Sequence, residues 1–295
     1  MKFRSLFLFA MLVFVYQNIS AKSYALNVNK KRFFIAGSSL VLAVGTTYWY
    51  MHNSWWADQK TPFHFDNGAD LTYALNVDKA GHFMGGLESA DIFSSSMRWA
   101  GMNKKKSLWY GAVFGSGLQL AIEMKDAYAP YWGFSKWDLA LGSAGALWPV
   151  AQYYNNNLKA VNFKFSYYKH SDVYWDLERQ RGKEVNKYAW QDDYPNQTYW
   201  TTFDINHFVK NCCWPDWLNV AIGFGIDESQ YLNENNTKTG GNNEWYIALD
   251  YDITKVFKTW DSPMAKKIKY WLNYIHFPAP TIRVAPKLDF YLLFL

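Results

Sequence analysis

The sequence predicts an α+β protein: an N-terminal membrane-associated bundle of about four helices, then a small antiparallel β-sheet region with one amphipathic helix. Three observations predict it. Phe33 to Met51 is a run of nineteen residues without a charge, long enough as a helix, at ~1.5 Å per residue, to cross a hydrocarbon core of about 30 Å. From Asp78 to Gly145, polar residues recur at spacings of three and four, which puts them on single faces of three successive helices. Beyond residue 160 the period becomes two, the signature of half-buried strands.

Composition narrows the function classes. A fifth of the residues are aromatic, with 16 Trp, 22 Tyr and 21 Phe, and such rings favour places where one end is apolar and the other wet, above all a membrane interface. The mean hydropathy of -0.28 argues against a densely polytopic transporter. The net charge of +5 comes from scattered lysines and two clusters, Lys104-Lys105-Lys106 and Lys266-Lys267-Lys269. Anionic lipid headgroups attract such clusters by about 1 kcal/mol per charge; solvated loops are the blander reading. No nucleic-acid-binding module accompanies the charge, so no nucleic-acid partner is expected. The two cysteines are adjacent, Cys212-Cys213, which suits neither a disulfide framework nor a zinc site. No cofactor is expected.

In chain order, Met1 to Ala21 reads as a secretory signal peptide: Lys2 and Arg4, an apolar run from Leu6 to Tyr16, then Ile19-Ser20-Ala21. A helical domain over 22–157 follows, and a strand-rich region over 158–295. Lys30-Lys31-Arg32 precedes the membrane candidate 33–51, and Trp49, Trp55 and Trp56 follow it as interfacial anchors. After cleavage the basic flank would lie on the exported side, against the positive-inside tendency, so a buried core helix is the alternative. Residues 52 to 70 read as a loop.

The first of the three helices aligns Asp78, His82, Gly85 and Ser89. The second aligns Ser116, Gln119, Glu123 and Asp126, and the third opens at Ser135 and aligns Asp138, Gly142 and Gly145. Gly81 with Gly85, and Gly111 with Gly115, have the small-xxx-small spacing that lets backbones approach. Ser135 and Asp138 form an N-cap pair, with the acid reaching back, and Pro149 is expected to kink or end its helix.

Four strands are expected farther on. They start from Val161, Leu218, Trp245 and Ile282, each with apolar residues at every second position, and are too few to close a membrane barrel, which takes at least eight. Ser262-Pro263 starts the amphipathic helix, with Met264, Ile268, Trp271, Leu272 and Ile275 on one side, suited to a membrane interface or to packing on the sheet. Asn233 to Asn243 reads as a mobile loop, and 171 to 216 shows no clear period.

If the three stripes face one another, Asp78, Lys79, His82, Glu123, Asp126, Ser135 and Asp138 meet as a network with little water, and such groups are costly to bury unless paired. One reading is a polar brace, in which Asp78 or Glu123 holds His82 while Lys79 or Arg98 balances charge. A binding module for a lipid headgroup or a protein of an envelope complex is its close relative. The alternative is a membrane-associated metal-dependent hydrolase using Asp78, His82, Glu123 and Asp138, with His82, Glu123 and Asp138 as ligands. Against it, a single histidine is a poor start for zinc, and no HExxH, nucleophile elbow, P-loop or GxGxxG occurs.

Asp78-Lys79-Ala80-Gly81-His82-Phe83, then Glu123 and Asp126, then Trp132-Gly133-Phe134-Ser135 with Asp138 and Gly145, resembles the YfiM-like family of predicted periplasmic lipoproteins, over residues near 55 to 155. The pattern is more distantly similar to VanZ-like membrane proteins, whose link to glycopeptide-antibiotic tolerance leans toward a binding role. The resemblance implies a cell-envelope location and no established chemistry. Two positions depart from it. Gly142 stands where the family often has Asn or Asp, and Lys22 stands where its lipoproteins carry the lipid-bearing Cys. The expectation is an exported, membrane-associated structural or binding component without catalysis.

Overall fold

The computed structural model describes residues 28–54, 56, 60–68, 70–130, 132–182, 192–209 and 213–295. The expected signal peptide and Cys212 lie outside the described residues. The fold is mixed α+β with an antiparallel sheet, as expected. Helix α1 (Lys30–Ser54) is longer at both ends than the uncharged run. Asn29 opens it by accepting the Arg32 N–H at 3.0 Å. One side of α1 packs Phe33, Ala36 and Leu40 against Phe93, Met97 and Phe114; Phe34, Leu42 and Trp49 on its other sides stay exposed. Among the described residues it is the one helix long and apolar enough to cross a membrane.

The three striped segments are helices α2 (Val77–Trp99), α3 (Lys104–Asp126) and α4 (Lys136–Tyr154). Asn103 caps α3 and Ser135 caps α4, each side chain accepting a backbone N–H of the first turn. Glycine sets how closely they pack. At Gly86 an added Cβ would overlap the Gly142 carbonyl oxygen, and at Gly145 it would overlap the Phe83 carbonyl oxygen, so α2 and α4 cross with their backbones nearly touching. Gly111 and Gly115 seat α3 against α2 in the expected way, facing the carbonyls of Ala90 and Gly86. Gly81 and Gly85 do not: Gly81 faces the Tyr199 hydroxyl of the sheet, and Gly85 the Gln119 amide. Pro149 does not end α4, which runs on to Tyr154. A proline removes only its own bond to the carbonyl four residues back, and Val150 beside it is anchored on Leu108 and Ala112.

The second half holds β1 (Val161–Tyr167), α5 (Val173–Gln180), β2 (Gln197–Phe203), β3 (Leu218–Ile226), β4 (Gln230–Leu232), β5 (Lys238–Gly240), β6 (Asn243–Tyr251), α6 (Pro263–Leu272), β7 (Ala279–Ala285) and β8 (Asp289–Phe294). Six strands form one antiparallel sheet in the order β1-β2-β3-β6-β7-β8, and β4 with β5 forms a separate hairpin. Three expectations need correction. The last expected strand is two strands folded back on each other. The Asn233 to Asn243 loop carries β5, paired with β4. Strand β2 arises in the stretch without clear period, because large rings sit on both of its faces: Tyr199 on one, Trp200 on the other.

The sheet rests on the helices through Phe163 of β1, whose ring meets Phe83 of α2 at 4.5 Å and Trp148 of α4 at 5.1 Å. Its other face is closed over a mixed filling of ion pairs and rings. Lys164 is paired with Asp250 at 2.8 Å, His276 meets the same carboxylate at 3.1 Å, and Trp200 stacks on His276 while donating to Ser166. The α6 stripe does not pack on the sheet, since Met264, Ile268 and Trp271 are exposed.

The helix crossing yields a test. Gly86→Ala and Gly145→Ala are each expected to cost about 1–3 kcal/mol by overpacking. Gly117→Ala, where nothing lies within 4 Å, should gain up to about 1 kcal/mol from helix propensity. Denaturant unfolding of the three variants checks the pattern; equal effects would contradict it.

Candidate functional site

The structure brings most of the striped residues together. Lys79, nearly buried, lies between two carboxylates, 3.0 Å from Asp138 Oδ1 and 3.5 Å from Asp78 Oδ2. His82 Nδ1 meets Gln119 Oε1 at 2.8 Å, with Glu123 Oε1 farther off at 3.8 Å. Glu123 Oε2 accepts the Ser135 N–H at 2.8 Å, and Ser135 Oγ accepts the Asp138 N–H at 3.2 Å. The chain of contacts thus runs through all three helices.

Four details differ from expectation. Ser135 caps α4, but Asp138 does not reach back: its carboxylate goes to Lys79, and Glu123 of α3 takes the Ser135 N–H instead. Gln119, rather than Asp78 or Glu123, is the nearest partner of His82. Arg98 balances no charge here, since it sits at the far end of α2, 3.7 Å from Asp91. Asp126 lies off the main cluster, where its Oδ1 accepts the Trp56 indole N–H at 2.6 Å and ties the segment after α1 to α3.

Gly142 now has a physical account. A Cβ there would fall within 2.5–2.8 Å of the Gln119 side chain. Gln119 fills the space that an Asn or Asp side chain would need, and it supplies the polar contact to His82 from a different helix.

Sequence reasoning missed several groups. Tyr199, on the unplaced strand β2, puts its hydroxyl against Gly81; burial, with Glu88 and Asp78 nearby, pushes its pKa up. Asp91, buried on α2, accepts from Tyr274 at 2.8 Å and from Tyr270, binding α2 to α6. Neither tyrosine stands out at sequence level, because the period of α6 is read from its aliphatic residues.

The carboxyls are electrostatically strained. Burial first, then the charge of Asp126, raises Glu123 to about 9, against the pull of the Ser135 N–H. Burial raises Asp126 to about 7 although Trp56 and His82 oppose it, and burial raises Glu88 to about 7. Glu123 is therefore protonated at neutral pH. One ligand atom each from His82, Glu123 and Asp138 lie within 4.8 Å of one another, a spacing that suits a divalent cation. An ion there would have to displace the Glu123 proton and the Lys79 ammonium from Asp138. Asp78 is not in that set.

Residues 66–154 match a family model described as predicted periplasmic lipoprotein (DUF2279). The match holds α2, α3 and α4 and every residue of the cluster, though it spans under a third of the chain. No curated protein and no solved structure matches. The location that this description carries, exported and membrane-associated in the cell envelope, agrees with the one expected from the sequence.

The three-helix unit should show a distinctive pH response. An acid whose folded pKa is raised stabilises the fold fully below its unfolded pKa, and that contribution is lost as pH rises through the folded value. For Glu123 the window runs from about 4.5 to about 9. The melting temperature should fall between pH 5 and pH 9, and Glu123→Gln should remove much of the fall, more than about 3 °C. Identical pH profiles for both proteins would contradict the burial account.

Proposed function

We propose that this chain is a structural or binding component of the cell envelope, seated on a membrane, in which the Asp78–Lys79–His82–Glu123–Asp138 network locks the three helices rather than performing catalysis. The observation that carries this reading is the mutual engagement of the network: Lys79 is held by two carboxylates, and Glu123 by the N–H that opens α4. Groups that satisfy one another across helices in this way are what a brace requires.

Beside the network is a surface suited to docking. Phe65 forms a bridge with Phe134, the residue before Ser135. Phe63 meets Phe65 and Tyr128 edge-on there, all three remain exposed, and Lys136 sits above Phe65 at 4.8 Å. Exposed rings beside a cation suit a lipid headgroup zone or a protein of an envelope complex. The YfiM-like and VanZ-like resemblances fit such a role by analogy only. The seat on the membrane would be α1, helped by the apolar outer surfaces of α3 and α4, where Val113, Leu120, Trp137 and Leu147 are exposed.

The second reading, a metal-dependent hydrolase, is favoured by one observation, the closeness of His82, Glu123 and Asp138. One experiment separates the two. The full chain, extracted from membranes that retain it through high-salt and alkaline washes, is assayed for bound divalent metal and for thermal stability. The brace reading expects His82→Ala to lower the melting temperature without any change in metal content. Stoichiometric metal that is lost in His82→Ala would establish the second reading. Release by salt alone would overturn the membrane seat.

A further inference from the structure

Four strands of the sheet leave an apolar face uncovered. Ile222 of β3, Ile247 of β6, Ile282 of β7 and Phe290 of β8 are register partners and form one row across four strands. Each is exposed, by 42, 48, 41 and 63%. The row directly behind it, Thr202, Ala221, Ala248 and Thr281, is buried to 3% exposure or less. The inner side mixes two ion pairs, Lys164 with Asp250 and Arg283 with Glu244, with the packed rings of Trp200, Tyr246 and Phe294, and the side turned outward is aliphatic and aromatic without charge. In a water-soluble sheet an uncovered face carries polar side chains.

We propose that the outer face of β3, β6, β7 and β8 is a membrane-contacting surface that lies against lipid acyl chains in one leaflet. This rests on the membrane-seated reading above and extends it to the second half of the chain. Three observations choose lipid over a protein partner. The outward positions of these strands carry no charged side chain, whereas protein interfaces include a polar rim and hydrogen bonds. The rings sit at the two ends of the β3–β6 pair: Trp217 stacks with Tyr251 at one end, and Phe224 lies on Trp245 at the other. Val220, Ile222, Ile247 and Leu249 lie between them, giving an aliphatic centre flanked by aromatic ends, the arrangement that membrane-facing strands use. The third observation is continuity. Helix α6 leads into β7 with Met264, Ile268, Trp271 and Ile275 exposed and with Lys266 and Lys267 beside them in water, the composition of an interfacial helix.

The sheet does not span the bilayer. Strand β8 ends the order, and an open strand edge is not tolerated in hydrocarbon. The other edge is paired instead, Phe165 of β1 bridging to Ile275; on the apolar face β1 carries Phe163, which α2 and α4 cover, so the open part of that face is β3, β6, β7 and β8. Seated face-down in one leaflet, the central row reaches the acyl chains, and the rings and the β8 edge stay at headgroup level.

Single nitroxide labels test this in the full chain carrying Cys212→Ser and Cys213→Ser. Ile247→Cys, Ile282→Cys and, as a wet control, Asn235→Cys are labelled and reconstituted with vesicles of phosphatidylcholine and phosphatidylglycerol. Collisions are then measured with dissolved oxygen and with a water-soluble nickel chelate. The labels at 247 and 282 should show an oxygen-to-nickel ratio several-fold above that at 235. A ratio equal to the control, in protein that sediments with the vesicles, overturns the lipid face and leaves the membrane seat standing. Labels shielded from both reagents would mean a protein partner or a second copy covers the face, and would also overturn it. Protein that fails to sediment with the vesicles removes both readings.

Discussion

A lysine ammonium in a nearly dry helix interface is the constraint on which the first half of the molecule depends. Removing a charge from water costs several kcal/mol even after relaxation, and the cost is recovered only where opposite charges sit in good geometry. Lys79 meets that condition through Asp78 on its own helix and Asp138 on α4. The two helices are therefore fixed in rotation, because turning either one would strand a charge. Glycines make the approach feasible: with side chains at positions 86 and 145 the backbones could not come near enough for Lys79 to reach Asp138.

The same logic governs the second half. Lys164 and Asp250 are fully buried as a pair, closed in by Trp200 and His276, while the aliphatic residues of the neighbouring strand positions face outward. An uncharged apolar face left open beside a buried ion pair is what the membrane contact proposed above requires, since polar groups left in hydrocarbon cost much. The exported, membrane-associated location is consistent with that open face.

How far the sequence could be read follows from the strength of each periodic signal. The three helices and their stripes were legible because three- and four-residue spacings repeat over about three turns in each, from Asp78 to Ser89, Ser116 to Asp126 and Ser135 to Gly145. Strands β1, β3 and β6 were legible for the same reason at period two. Strand β2 was not, because Trp200 faces the closed interior where a small polar residue is the norm, and Gly223 opposite leaves room for its ring. Most of the side chains that meet lie on the stripes, although Asp126 stands apart and Gln119 takes the place beside His82, and the wiring was not foreseeable. That Glu123 rather than Asp138 would take the Ser135 N–H depends on how α3 lies against the start of α4, and no local spacing encodes that. The side of the sheet that faces out was also invisible, since alternation gives two faces without saying which is covered.

The central claim is that Lys79 and Asp138 act as one unit joining α2 to α4. A double-mutant cycle of Lys79→Met and Asp138→Asn, followed by denaturant unfolding, measures this directly. Lys79→Met should cost about 3–5 kcal/mol because it strands both carboxylates, and Asp138→Asn less because Asp78 still holds Lys79; the double variant should cost less than the sum, by an interaction energy within the usual ~0.5–3 kcal/mol range. Costs that add to within about 0.5 kcal/mol would show that the two residues do not depend on each other, and the account of the helix interface would fail.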